Sequence, residues 1–191
     1  MHKKVLVPVA NGAEEIETVS IVDTLRRAEL NVILASIYQK SPETPIIKGS
    51  RNISLVCDNY LESVLGQDYD LIALPGGLKN AEGLAACQPL IKKLHEHKEA
   101  GKWFAAICAS PAVVFEPHGL LKGEVGTCFP SLAEKLSNKS KIEQRVVVSN
   151  NCITSQGPGT ALEFALVLIE KLISKEKATQ IAKSMVAYIP K

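Results

Sequence analysis

Residues 103–115 (WFAAICASPAVVF) form the stretch that most constrains how this chain can fold. A short apolar segment is followed by a single cysteine, Cys108, and then by a second apolar segment that begins beside Pro111. The first segment is too short for a helix. Proline suits the first turn of a helix, because its missing N–H would be unpaired there and its φ is already helical. The order therefore predicts a buried strand, a sharp turn at Cys108 and then a helix.

Two interpretations of Cys108 follow from this position. At a strand-to-helix elbow a nucleophile stands above the sheet edge, and the free N–H groups and dipole of the helix favour negative charge on it. Helix N-termini lower the pKa of a cysteine from about 8.5 into the range of about 3.5–7.5, and the thiolate is the reactive form. In the second interpretation Cys108 is a buried cysteine that packs as a small hydrophobic residue. The position alone favours neither.

The remaining pattern alternates short buried strands with amphipathic helices. Strands are predicted at 5–9, 31–37, 71–77, 103–107 and 125–129, and helices from 13 onward and at 89–100, 161–173 and 176–186. An exposed hairpin or edge is predicted at 46–56, a hairpin at 145–155 and a polar connection at 39–45. Alternation of this kind predicts a three-layer α/β/α sandwich with a mainly parallel sheet. A chain of 191 residues that is 46% hydrophobic can bury its core as one domain, over 1–191.

Local patterns predict the buried face of one helix, the cap of a second and the exposed side of a third. Apolar residues three apart predict the buried stripe of the first helix: Ile16, Val19, Val22 and Leu25. Thr160, with Glu163 three residues later, predicts a capping box at the start of helix 161–173. His95 and His97 are expected on the outside of helix 89–100, where their spacing makes a poor metal pair.

The composition argues against several classes of protein. There are 22 basic and 20 acidic residues, a net charge of +2, so nothing points to nucleic acid or an anionic membrane. The N-terminus resembles neither a signal peptide nor a membrane span, and a cytoplasmic location is expected. Five cysteines without a CxxC pair predict neither a disulfide framework nor a zinc site. The glycine-rich nucleotide motifs are missing too, so we expect no metal and no cofactor.

Chemically useful groups follow the first, third and fourth predicted strands. The carboxyl ends of parallel strands meet at one rim, where such sheets bind ligands. Glu17, the pair Gly76–Gly77 and Cys108 would meet at this rim. Bare glycine N–H groups can approach a ligand closely, as an oxyanion requires. Taken alone, Glu17 could be a solvated helix residue and the glycines an ordinary turn, but the combination is far less accidental.

Four motifs, in order over nearly the whole chain, resemble a known family. They are GAEEIE (12–17), ALPGG (73–77), AAICASP (105–111) and TSQGPGTALEFAL (154–166). With these motifs the sequence is similar to the ThiJ/PfpI superfamily, in the branch of the parkinsonism-associated protein deglycase and its bacterial YajL-like relatives. The resemblance implies a flavodoxin-like sandwich and a homodimer in which the GAEEIE helix and the Arg51 region pack on their symmetry mates.

The resemblance also implies the roles of individual residues. Cys108 is the expected nucleophile, and Glu17 is its carboxyl partner. The substrate-binding and oxyanion-binding residues that it implies are Gly76, Gly77, Ala109, Arg51, Gly157 and Pro158. If Glu17 is neutral when the thiol is ionised, its hydrogen bond to the thiolate lowers the pKa of Cys108, and the two groups titrate as one unit.

Two departures from the family limit what carries over. Phe129 stands where some members place a histidine beside the thiol, and Ala109 stands where the protease-like branch has one. Peptidase activity is therefore not expected. His118 follows the elbow helix on its far side, and we interpret it as structural.

The implied function is that of a thiol enzyme. It acts on reactive dicarbonyls such as methylglyoxal or glyoxal, or on their early adducts on Cys, Lys and Arg side chains of glycated proteins, and so protects against carbonyl and oxidative stress. The alternative is a redox-regulated chaperone or oxidation sensor without significant turnover. Both functions use the same cysteine, so the sequence does not separate them.

Overall fold

The strands form one large sheet and one separate hairpin in the computed structural model, which describes residues 3–38 and 44–188. The strands of the described residues are β1 (Lys4–Val9), β2 (Asn31–Ser36), β3 (Ile46–Lys48), β4 (Ser54–Val56), β5 (Asn59–Tyr60), β6 (Leu71–Leu74), β7 (Trp103–Ile107), β8 (Val146–Ser149) and β9 (Cys152–Ser155). The large sheet has the order β5-β2-β1-β6-β7-β9-β8, and only β8 runs antiparallel to its neighbour. The mainly parallel sheet predicted from the sequence is confirmed.

The central strands are apolar because helices cover both of their faces. β6 is buried along its whole length, and β1 is buried except at Lys4. Such continuous apolar runs are typical of parallel strands. Pro8 lies in β1 beyond Val5 and Leu6, the two residues that pair with β6, so its missing N–H breaks no bond on that side.

The helices form two groups, one on each face of the sheet. Those of the described residues are α1 (Glu15–Arg27), α2 (Leu61–Val64), α3 (Leu78–Ala86), α4 (Gln88–Glu99), α5 (Ala161–Leu172) and α6 (Lys175–Ser184). α1 packs against α5, which also contacts α6, while α3 packs against α4 and against the turn after β7. The flavodoxin-like three-layer sandwich is thus the observed fold.

The turn after β7 is wider than the predicted helix. It spans Pro111–Phe115, and the Glu116 N–H donates to the Pro111 carbonyl five residues earlier, at 2.9 Å. Pro111 begins this turn, as the sequence predicted. The ring of Phe115 meets that of Phe104 edge to face, with centroids 5.3 Å apart, and this contact fixes the turn on β7.

The predicted strand at 125–129 is wrong. Side-chain hydroxyls of the neighbouring hairpin, and not a strand ladder, bind the backbone of this segment. The Val125 N–H donates to Ser149 Oγ at 3.1 Å, and the Thr127 N–H donates to Thr154 Oγ1 at 2.9 Å. Both hairpins predicted from the sequence, β3–β4 and β8–β9, are confirmed.

The stripe predicted for α1 is only half correct. Val22 and Leu25 are buried, but Ile16 and Val19 are 58% and 51% exposed. The helix is rotated because its inward face carries Glu17, which is fully buried and bonded to the sheet rim.

The capping box predicted at Thr160 is also wrong. Thr160 Oγ1 bonds to Ser155 Oγ at 2.6 Å and donates to the Gly157 carbonyl at 2.9 Å, so it does not cap α5. Glu163 instead pairs with Arg145 at 2.7 Å.

The chain contains no helix, within 3–38 and 44–188, that is long and apolar enough to cross a membrane. Of the predicted polar connection at 39–45, residues 39–43 lie outside the described part of the chain.

His97 does not lie on the outside of α4 as expected. It is 2% exposed, and its Nδ1 lies 3.2 Å from the Trp103 carbonyl oxygen. Its Nε2 is buried without a partner among the described residues. Burial therefore lowers the pKa of His97, because charging the ring would put an unsolvated cation in the interior.

This burial predicts a loss of stability in acid. A histidine whose folded pKa lies below its unfolded value of about 6.5 stabilises the fold above that pH and loses the contribution as pH falls. We expect acidification from pH 7.5 to 5.5 to lower the free energy of unfolding of wild type relative to that of His97→Asn, whose amide can still donate to Trp103. Urea unfolding measures the difference, with His95→Asn as the control. Equal losses in wild type and His97→Asn would contradict the assignment.

Candidate active site

Cys108 lies at the elbow that the sequence predicted, directly after β7. Its φ is +64°, a left-handed conformation that non-glycine residues rarely adopt. The surrounding backbone holds it there. The Cys108 N–H donates to the Ser155 carbonyl at 2.9 Å, and its carbonyl accepts from the Phe129 N–H at 2.8 Å. A strained residue held in this way often marks a functional site. Its side chain is only 8% exposed, so it is buried at the rim and does not stand free above it.

Gly76 and Gly77 face the cysteine from the end of β6, and neither position can carry a side chain. A Cβ on Gly76 would lie 2.4 Å from the Cβ of Cys108 and 2.6 Å from Glu17 Oε2. Gly77 has φ +89°, and a Cβ there would lie 2.1 Å from the carbonyl oxygen of Gly12. The glycines are therefore needed for the close approach of this backbone to Cys108, Glu17 and Gly12, and their approach to a ligand stays a prediction.

Glu17 projects from the first turn of α1 into the same rim. Its Oε2 accepts a hydrogen bond from the Gly76 N–H at 2.7 Å, and its carboxyl is hydrogen-bonded to the Cys108 thiol. Its Oε1 is buried without a partner among the described residues. The Glu14 carboxylate caps α1 by accepting from the Glu17 N–H at 2.8 Å. The interpretation of Glu17 as a solvated helix residue is therefore excluded.

Burial decides the charge on Glu17. Removing the carboxylate from water raises its pKa to about 7, and the nearby Glu14 charge adds to the effect. The hydrogen bonds from the Gly76 N–H and the Cys108 thiol oppose the rise but do not cancel it. Near neutral pH this carboxyl can therefore either accept or donate a proton.

The expected lowering of the thiol pKa is not found. Burial raises the pKa of Cys108 to about 12, and the Glu17 carboxylate beside it adds repulsion. The N–H groups of Gly77 and Ala109 donate to the sulfur and lower the value, but burial outweighs them. The first negative charge of the pair therefore resides on Glu17, and the thiol keeps its proton near neutral pH.

This arrangement is suited to general-base activation of a thiol. A carboxylate with a pKa near the working pH lies within hydrogen-bond reach of the nucleophile whose proton it must take. The two backbone N–H groups stabilise the sulfur as it becomes negative. No cluster of three or more His, Cys, Asp or Glu side chains that could bind a metal occurs in the described ranges.

Of the other predicted site residues, Gly157 and Pro158 lie near Cys108, whereas Arg51 makes its contacts elsewhere. Gly157 is packed against the ring of Phe129, whose N–H binds the Cys108 carbonyl, and Pro158 begins the next short turn. The side chain of Arg51 is exposed and contacts the Ser50 carbonyl. No hydrogen bond or ion pair of the described residues joins Arg51 to the Cys108 region.

Arg51 is tied to α1 through its backbone. Its N–H donates to Oε1 of the buried Glu15 at 2.6 Å, and the Ser50 hydroxyl donates to the other carboxylate oxygen at 2.9 Å. Burial works against the charge on Glu15, but these bonds outweigh it and hold its pKa below the ordinary value. The link connects the β3–β4 hairpin to the helix that carries Glu17.

The sequence analysis missed Asn80 and Ser110. Both side chains are fully buried and hydrogen-bond to the backbone of Pro75 or Gly76. A conserved spacing cannot be observed in a single sequence, and α3, which carries Asn80, was not predicted. The one sequence signal for Asn80 is its position three residues after Gly77, at the end of the third predicted strand.

Comparison with known proteins gives the same relationship as the motifs. The profile of the DJ-1/PfpI family matches residues 3–171. Protein DJ-1 homolog B of Arabidopsis thaliana is 48% identical over 181 residues, which are 95% of this chain and 40% of that protein. The chain thus spans less than half the length of that relative. The glutathione-independent glyoxalase DJR-1.2 of Caenorhabditis elegans is 33% identical over 95% of this chain and 94% of its own length.

A solved structure shares the whole fold. Oxidized DJ-1 of Toxoplasma gondii superposes with a TM-score of 0.93 at 45% identity, covering 98% of this chain and 100% of that one. With a profile match over most of its length, motifs in the same order and this structural similarity, the chain belongs to the DJ-1/PfpI family.

Proposed function

We propose that this protein is a cysteine-dependent glyoxalase or deglycase that acts on methylglyoxal or glyoxal, or on their early protein adducts. The observation that carries the proposal is the hydrogen-bonded pair of Cys108 and Glu17, with the amides of Gly77 and Ala109 on the sulfur. The name of the C. elegans relative supports the same class of reaction. We take residues 1–191 to act as one domain.

The first step is addition of the thiol to an aldehyde carbon. The Glu17 carboxylate takes the thiol proton while the sulfur of Cys108 forms a bond to that carbon. The carbonyl oxygen becomes an alkoxide and takes this proton from Glu17, which gives a hemithioacetal and restores the carboxylate. Once the sulfur is bonded to carbon it is no longer negative. The amides of Gly77 and Ala109 can then donate to the former carbonyl oxygen on that carbon. With an early adduct, the same attack breaks the bond between this carbon and the amine or thiol of the modified side chain, which leaves with the proton that Glu17 has taken.

The second step is an internal redox exchange within the substrate. Glu17 moves the proton from the aldehyde-derived carbon to the adjacent carbonyl carbon through an enediol, so that the first carbon is oxidised and the second reduced. The product on the enzyme is a thioester of a hydroxy acid. Water then attacks the thioester and expels the Cys108 thiol. The net reaction adds one water and requires no external oxidant.

The remaining site residues shape the pocket in this proposal. Phe129 and Gly157 form one wall, beside Pro158, and the hairpin with Arg51 lies at the outer edge. Phe129 has no group that exchanges protons, unlike the histidine that some family members have at this position. In this proposal Glu17 therefore exchanges protons with the thiol without a second residue.

An oxidation sensor or chaperone is the second candidate function. It is favoured by one observation, that the T. gondii relative was solved in an oxidized form. The low exposure of Cys108 and its raised pKa work against rapid oxidation, because the thiolate is the species that reacts with peroxide. Turnover of a dicarbonyl distinguishes the two functions.

Replacing the nucleophile should abolish the reaction. We expect purified protein to convert methylglyoxal to lactate without glutathione and Cys108→Ala to lose this activity to background, because no thioester can form. Lactate formation is measured directly. Cys87→Ser is the matched control, since Cys87 is a half-buried free cysteine outside the pair, and its rate should equal that of wild type. An unchanged rate in Cys108→Ala would refute the catalytic role, and a wild type that only suppresses aggregation would favour the chaperone.

Glu17 should accelerate the reaction at a cost to stability. Its folded pKa of about 7 exceeds its ordinary value of 4.5, so the stability that Glu17 contributes is fully present below pH 4.5 and is lost as pH rises through 7. The loss is about 3 kcal/mol. We expect Glu17→Gln to gain about this much unfolding free energy relative to wild type between pH 4.5 and 8, while kcat/KM falls roughly 10²–10⁴-fold.

Urea unfolding at both pH values and the pH profile of kcat/KM test this expectation. Wild-type kcat/KM should rise through pH 7 as Glu17 ionises, and Glu17→Gln should lack this limb. Glu82→Gln, at an exposed glutamate of α3, is the control for the loss of a carboxylate. If Glu17→Gln keeps the wild-type rate and pH profile, Glu17 is not the base.

We also propose that the protein is a homodimer. Ile16 and Val19 lie one turn apart on α1 and are exposed, and Ile53, in the hairpin loop tied to α1 by Glu15, is exposed as well. Apolar side chains grouped in this way favour contact with a second copy across a two-fold axis.

Sedimentation tests the dimer. At micromolar concentration we expect twice the 20.6 kDa mass of one chain. Val19→Glu should shift the protein toward monomer, because two like charges would meet near the axis. Val148→Glu, a substitution at an exposed valine of β8, should leave the mass unchanged. A wild-type mass near 20.6 kDa would rule the dimer out.

A further inference from the structure

Asn80 is a fully buried polar residue whose side chain binds only backbone. Its Oδ1 accepts from the Ala10 N–H at 2.7 Å. Its Nδ2 donates to the Pro75 carbonyl at 2.9 Å and to the Gly76 carbonyl at 3.0 Å. The amide thus uses both of its donors and its acceptor, and it joins the end of β1 to the segment that follows β6.

The two carbonyls that Asn80 holds belong to the peptides that bear the catalytic amides. In a planar trans peptide the C=O and N–H point in opposite directions. Holding the Pro75 carbonyl on one side therefore aims the Gly76 N–H at the other side, where it meets Glu17 Oε2 at 2.7 Å. Holding the Gly76 carbonyl in the same way aims the Gly77 N–H at the sulfur of Cys108.

Glycine makes this external support necessary. Gly76 and Gly77 have no side chains to restrict φ and ψ, so the peptide between them could rotate at little steric cost. Two other groups assist Asn80, each at one carbonyl only. Ser110 Oγ donates to Pro75 at 2.6 Å, and the Glu14 N–H donates to Gly76 at 3.1 Å. Among these three groups, only Asn80 binds both carbonyls.

We propose that Asn80 is a positioning residue that aims the Gly76 and Gly77 amides at Glu17 and Cys108 and thereby sets how strongly each of the two groups holds its proton. It contacts neither reacting group and acts through the two peptides. The catalytic meaning of this role rests on the proposed function, but the positions of the amides do not. Loss of Asn80 should weaken the hydrogen bond to each group, so that both hold their protons more tightly.

The test measures the two groups separately and needs no turnover. At pH 9.5 the rate of Cys108 alkylation by iodoacetamide, followed by mass spectrometry, is proportional to its thiolate fraction. The midpoint of the Glu17 carboxyl titration is followed by ¹³C NMR of glutamate-labelled protein. We expect Asn80→Ala to alkylate about tenfold more slowly and its Glu17 midpoint to rise by about one pH unit. Ser110→Ala, which leaves the Gly76 carbonyl held, should alkylate within about twofold of wild type.

Tyr69→Phe controls for a general loss of stability, because Tyr69 donates a buried hydrogen bond to Val64 away from the rim. Its alkylation rate and Glu17 midpoint should be those of wild type.

The proposal is overturned if folded Asn80→Ala matches wild type in both readouts, or if Ser110→Ala slows alkylation as much as Asn80→Ala does. If Asn80→Ala fails to fold, Asn80→Leu, which has a similar size and no hydrogen-bonding groups, replaces it, and wild-type readouts in that variant overturn the proposal. Absence of dicarbonyl turnover in wild type would refute the proposed function and leave these readouts unaffected.

Discussion

The hydrogen bond from the Gly76 N–H to Glu17 Oε2 is the contact on which the site and much of the surrounding fold depend. It joins α1 to the end of β6 across a rim that is closed to solvent. To make this bond, α1 must direct a carboxyl inward, and this rotation brings Ile16 and Val19 to the surface. Gly76 must at the same time lack a side chain, because a Cβ would collide with both Glu17 and Cys108. One contact thus accounts for a buried acid, an obligatory glycine and an exposed apolar face.

The same contact determines how charge is distributed at the rim. A buried carboxyl and a buried thiol cannot both ionise near neutral pH, because their charges would repel each other in a poorly solvated place. The proton that remains is shared within the hydrogen-bonded pair, and the backbone amides decide how easily it moves. In the proposed mechanism, activation of the thiol therefore depends on a general base that is already beside it, and the helix N-terminus contributes only through the Ala109 N–H.

The sequence was sufficient for the sheet and for the grouping of the site, because both follow from apolar runs and parallel topology. β1, β6 and β7 are neighbours, so Glu17, Gly76–Gly77 and Cys108 had to meet at one rim. Features that depend on tertiary contacts could not be predicted. α3 directly follows two glycines and contains Asn80, residues with low helix propensity, and packing against the turn after β7 supports it. Segment 125–129 has a strand composition, but hydroxyl groups of β8 and β9 bind its amides.

The backbone conformation of Cys108 restricts which nucleophiles this fold could ever use. At φ +64° a side chain branched at Cβ crowds its own backbone, so threonine or valine would be more strained at this position than serine or alanine, which have one Cβ substituent or none. Substitution by glycine would relieve the strain but remove the chemistry. If Cys108 is the nucleophile that we propose, a change to a hydroxyl nucleophile at this elbow would therefore favour serine over threonine.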